Sequence, residues 1–161
     1  MAYTASLLEL AGGNWNGEDV DLADVEDFDA LVDRLGEANA DDSTSVLFVE
    51  EDDEHLVIVR ASGERDPHVF VADRRSLEST TIAARLLGTE FGAVVEDADA
   101  EESARPEVEP AGDADLLADL GVGEEALLAL CAEKGLLPAD VIFEVCERLG
   151  CGDVLEELRG V

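Results

Sequence analysis

Residues 96–113 (EDADAEESARPEVEPAGD) constrain the fold of this chain more than any other stretch. Pro106 and Pro110 interrupt it, Arg105 is its one base, and Val108 is its one larger apolar side chain. Such a segment cannot bury enough apolar surface to repay the entropy of ordering it, and its like charges repel and extend it. It reads as an acidic linker. The remainder divides into residues 1–95, where strand and helix patterns mix, and residues 114–161, where only short helical patterns occur. The expected class is α+β: an antiparallel sheet of four or five strands with packed helices, followed by a small all-helical module.

Composition sets further limits. Of 161 residues, 47% are apolar, so a core can form despite a formal charge of −31. The charge is spread along the chain, about −16 before residue 96, −7 in the linker and −8 after it. Broad-face binding of nucleic acid is disfavoured, because neutralising phosphates takes Lys and Arg that this chain largely lacks. The acidity suits a general need for solubility. It also suits mimicry of a nucleic acid in the groove of a basic protein. No run of 18 apolar residues is present, so no membrane span is expected. Met1–Leu10 has no basic n-region, so no signal peptide is expected, and three Cys do not make a paired disulfide framework. A cytoplasmic setting follows as the expectation.

Within the first module, Tyr3–Ala11 and Trp15–Leu22 flank Gly12-Gly13-Asn14, the pattern of a β-hairpin whose second arm suits an edge strand. Val25, Phe28, Leu31, Val32 and Leu35 then form one apolar stripe at helical spacing, with Asp24 or Asp27 as cap. Ser45–Val49 and His55–Arg60 flank the tip EEDDE. Their nearly continuous apolar runs mark central strands covered on at least one face. The acids of the tip lack the alternating ligand spacing and the Gly of a calcium loop, and read as a solvated turn. His68–Ala72 is a further strand. Ser76 or Ser79 can cap a helix through Leu87, and Phe91–Val95 is a short apolar run.

The second module carries four helical patterns: Asp115–Leu120, Gly123–Lys134, Ala139–Leu149 and Asp153–Leu158. Each stops near a Gly, and Pro138 suits a helix start. Helices this short must pack on each other, on the first module or on a partner.

No catalytic constellation emerges. His55 and His68 stand at strand starts without triad relations. Cys131, Cys146 and Cys151 form no CxxC pattern, so no zinc site and no cofactor are expected. Cys131 and Cys146 read as small buried apolar residues, whereas Cys151 near a turn is a candidate reactive thiol. Two features remain as candidate partner contacts. Arg60, Arg65, Arg74, Arg75 and Arg85 hold half of all Lys and Arg. They serve either to pair with surplus carboxylates or, through Arg74 and Arg75, to contact an acidic group. In the Ala139–Leu149 helix, Ile142, Val145, Cys146 and Leu149 share one face. Val141 and Phe143 fall about 100° to either side of its centre. That is more apolar surface than a small bundle needs, which marks Phe143 and Val141 as candidate anchors.

Together these pieces resemble an actinobacterial family described as tRNA adenosine deaminase-associated proteins. The resemblance rests on DLADVEDF (Asp21–Phe28), VLFVEEDDEHLVIVR, DPHVFVAD, GDADLLADLGV and LLPADVIFEVCERLGCGDVLEEL, in that order. It implies a non-catalytic protein linked to the enzyme that converts adenosine to inosine in tRNA, with that deaminase as partner. The chain lacks the His-x-Glu and Pro-Cys-x-x-Cys elements of the deaminase itself. The resemblance therefore transfers no catalytic residue.

Overall fold

Gly12 and Gly13 have φ of 60° and 81°. Two successive positive φ values are what a tight two-residue hairpin turn demands, and Gly meets them without steric cost. They join β1 (Tyr3–Ala11) to β2 (Asn14–Asp19) in a register that sets Ala11 opposite Asn14. The architecture that grows from this hairpin was obtained as a computed structural model. It describes residues 3–22, 25, 28–38, 44–51, 55–62, 68–72, 111–133 and 136–159.

Among the described residues, five antiparallel strands of four residues or more form the sheet. After β1 and β2 come β3 (Thr44–Glu51), β4 (His55–Ser62) and β5 (His68–Val71). A two-residue strand, β6 (Ala111–Gly112), completes the spatial order β2-β1-β3-β4-β5-β6. The fold class is α+β, and β2 takes the edge position that its poor alternation suggests.

Side chains of successive strand residues point to opposite faces. On one face Leu7, Leu47, Val49, Val57, Val59, Val69 and Val71 meet Val20, Leu22 and Val25, together with Leu31 and Leu35 of helix α1 (Phe28–Ala38). On the other face Leu8, Val46, Phe48, Leu56, Ile58 and Phe70 form a second core with the C-terminal helices. Burial on both sides explains why β3 and β4 are apolar almost throughout.

The first helix starts later than its stripe suggests. Val25 is buried ahead of it, its N–H donating to the Leu22 carbonyl at 3.1 Å. The candidate caps Asp24 and Asp27 lie outside the described residues, as do the Ser76–Leu87 helix and Phe91–Val95. The hairpin tip also differs from the expected solvated turn. β3 runs on into its first two residues, leaving Glu50 8% and Glu51 only 2% exposed. Residues 52–54 lie outside the described residues.

In the C-terminal part the Asp115–Leu120 pattern forms a turn and a short 3₁₀ helix, Ala118–Leu120, not an α-helix. Gly121, at φ 120°, ends it. Helices α2 (Glu124–Ala132), α3 (Pro138–Leu149) and α4 (Gly152–Arg159) follow. Pro138 occupies the first turn of α3, where no helical N–H bond is lost. The Asp140 carboxylate accepts from the Leu137 N–H at 3.1 Å. Gly150 closes α3 in the left-handed conformation, and the Cys146 carbonyl accepts from both Gly150 and Cys151. These helices pack on the sheet. A Cβ on Gly17 of β2 would lie 2.9 Å from both Leu8 Cδ2 and Val154 Cγ1, so the missing side chain lets α4 sit on the strand.

Residues 111–113, the end of the acidic stretch, are bound to the sheet. Gly112 is opposite Phe70, and the Asp113 N–H donates to the Val69 carbonyl at 2.8 Å. Residues 96–110 lie outside the described residues.

Candidate partner-binding surface

Of the five clustered arginines, Arg60 is the one whose surroundings are described. It projects from β4 on the face shared with the C-terminal helices, and its side chain is 12% exposed. Its Nη1 donates to the Leu116 carbonyl at 2.7 Å. Nη1 and Nη2 also grip the two carboxylate oxygens of Asp119, the second at 2.9 Å. A planar guanidinium suits such a forked contact. Arg60 is thus engaged within the fold, tying β4 to the segment ahead of α2. A second tie sits one strand away, where His68 Nδ1 lies 2.9 Å from Asp113 Oδ2. Arg74 and Arg75, the candidate contacts for an acidic group, lie outside the described residues, as do Arg65 and Arg85.

The cysteines are packing groups. Cys146 and Cys151 are fully buried, and none of the three cysteines forms a disulfide. Cys151, the candidate reactive thiol, is enclosed: the turn after Gly150 directs it into the core beside α4. Burial pushes the Cys131 thiol up to about 12. No group of three His, Cys, Asp or Glu able to hold a metal occurs among the described residues. Two clefts lie along β1 and β2. One, of about 250 Å³, is lined by Leu7, Glu9, Asn16, Gly17 and Glu18. The other, of about 520 Å³, runs past Tyr3, Asp19 and Asp21. There the Tyr3 hydroxyl donates to Asp21 and accepts from the Leu22 N–H, fastening the end of β2.

Helix α3 separates the two anchor candidates. Its inward side buries Val141, Ile142, Val145, Cys146 and Leu149. Val141, at 4% exposure, belongs to the core and offers a partner almost no surface, which corrects its place beside Phe143. The asymmetry has a simple origin. α4, α2 and the sheet all pack on α3, and the arc that is buried extends past the four-residue stripe to Val141. Phe143 lies on the opposite flank, half-buried against the same core. Sequence reasoning missed Leu137. It caps α3 at 48% exposure, the one large apolar side chain so open among the described residues. The signal that could have found it is a Leu directly before the helix-starting Pro, outside the apolar stripe of α3.

Taken at about 100° per residue, Asp140, Glu144 and Glu147 fall between Phe143 on one side and Leu137 on the other. All three acids are exposed. The outer face of α3 is thus a row of carboxylates bracketed by two apolar groups. Arg148, its one base, lies beyond Leu137.

The fold and this face define an α+β protein with helices on both sides of its sheet and an acidic, apolar-flanked outer helix. Residues 5–152 match the family model of the Rv3753c-like tRNA adenosine deaminase-associated proteins, and the chain belongs to that family. No curated protein and no solved structure matches it. No helix among the described residues is long and apolar enough to cross a membrane.

Proposed function

We propose that the protein is a non-catalytic accessory subunit that binds a tRNA adenosine deaminase through protein–protein contacts, with Phe143 on the contact surface. The observation that carries the reading is membership of a family described as associated with that enzyme. Two further features support it. The chain carries neither sequence element of the zinc deaminases. Phe143 is partly exposed at the flank of a helix whose inward side is filled, and aromatic side chains are enriched at protein interfaces. The test is co-purification of the tagged protein with the deaminase of the same organism, for the native chain and for Phe143→Asp. The native chain retains the deaminase. The variant remains folded and loses about tenfold or more in affinity. Failure of the native chain to retain the deaminase overturns the proposal. A fallen midpoint with unchanged affinity makes Phe143 a core residue only.

A further inference from the structure

We infer that the outer face of α3 receives a basic amphipathic segment of a partner protein, one that sets Lys or Arg against Asp140, Glu144 and Glu147 and apolar side chains against Phe143 and Leu137. The inference deepens the proposed function by stating the chemistry of the docking segment, and it takes the location of the surface from that reading.

Charge complementarity selects the occupant. The three carboxylates are exposed and successive along one side of a single helix. Bringing them together on α3 costs repulsion, because like charges one turn apart oppose helix formation. Asp140 offsets this in part by accepting from the Leu137 N–H. Glu147 stands in the last turn, where the dipole of α3 disfavours negative charge. A cationic partner relieves both effects at once. Phosphate-rich and anionic lipid surfaces are repelled by the same row. A second copy of this chain, itself at −31, is repelled too. Leu137 and Phe143 add what a purely electrostatic contact lacks: apolar area on both sides of the charges. A basic helix or strand with flanking Leu or Phe satisfies all five positions.

Two synthetic amphipathic peptides test this by fluorescence anisotropy near physiological ionic strength. They share one apolar stripe and differ in carrying Lys/Arg or Glu beside it. The basic peptide binds the full-length chain and the acidic one does not. Phe143→Asp supplies the sharper discrimination, because it removes an apolar anchor while adding a carboxylate. Diffuse attraction to an acidic protein predicts equal or tighter binding by this variant; the docking surface predicts a loss of about tenfold. Glu144→Lys combined with Glu147→Lys weakens binding similarly. Asp29→Lys combined with Asp33→Lys on α1, across the sheet, changes it by less than about twofold. Should Phe143→Asp fail to fold, the two paired charge reversals decide alone, since all four positions are exposed. Equal weakening by both pairs overturns the inference, as does binding of the acidic peptide or of neither peptide. Peptide binding without deaminase retention sinks the proposed partner and leaves the docking chemistry standing. Deaminase retention that ignores Glu144 and Glu147 does the reverse.

Discussion

Arg60 shows how one side chain can serve packing and charge together. Its guanidinium is nearly enclosed, yet every contact it makes crosses from the sheet to the C-terminal part: the Leu116 carbonyl and both oxygens of Asp119. Arg60→Lys keeps the charge but loses the fork, so at least one acceptor is left poorly satisfied. A loss of about 1–2 kcal/mol in urea unfolding is expected; no change would mean that the contact carries no weight. Cys131 makes a different point. Burial holds its thiol protonated, with the pKa pushed up to about 12, so the thiolate that alkylating reagents need is scarce at pH 8. Native protein should therefore resist iodoacetamide and react fully only when unfolded. Linkage gives the sign of the pH effect. A folded pKa above the unfolded value contributes stability that is present below the ordinary thiol range of about 8.5 and is lost as pH rises towards 12. The stability difference between the native chain and Cys131→Ala should shrink between pH 8 and pH 11. A difference flat over that interval would show the thiol to be freely solvated.

At the scale of elements, the two-residue strand β6 carries more than its length suggests. Gly112 holds a φ of 92°, and an added Cβ would stand 2.2 Å from the Val69 carbonyl oxygen. That oxygen belongs to the backbone of β5 and cannot swing aside. Gly112→Ala is therefore expected to cost about 1–3 kcal/mol from strain alone and to raise amide exchange along β5. Full retention of stability would show that β6 is dispensable. No pattern in the sequence announces β6, because two residues have no periodicity and an acidic, Pro-containing neighbourhood argues against pairing. The hairpins were legible for the opposite reason: Gly-Gly between apolar runs, and β-branched runs buried on both faces, leave few alternatives. The helix over Asp115–Leu120 was misread because three leucines at helical spacing also suit a tight turn. There Leu117 is buried, and its carbonyl accepts from Leu120 and Val122. On α3 the stripe was legible, but which flank the core would cover was not. That depends on the sheet, α2 and α4 together, whose placement around α3 no local pattern records. The Arg60–Asp119 contact was illegible for a similar reason, since nothing local marks partners so far apart in the chain.

For the whole molecule, the question is whether the acidic stretch separates two independent units. The second core places Leu8, Val46, Phe48, Leu56, Ile58 and Phe70 of the sheet against Leu117, Leu127, Ile142, Val145 and Leu155 of the helices. Buried aromatic and aliphatic side chains contribute roughly 1.5–3 kcal/mol each, so parting the two sides forfeits far more than a domain's usual net stability. The ties at Arg60 and His68 and the pairing of β6 add to the same boundary. A cut within residues 96–110 should therefore break the chain without dissociating the protein. After limited proteolysis, two pieces are expected by denaturing electrophoresis, eluting together under native conditions with one unfolding transition. Produced alone, residues 1–95 would expose the sheet face bearing Phe48 and Phe70 to water and are expected to aggregate or bind a hydrophobic dye. A soluble 1–95 fragment with native-like resistance to urea, or two separate transitions for the intact chain, would show that each part folds on its own and that the second core is only a docking contact.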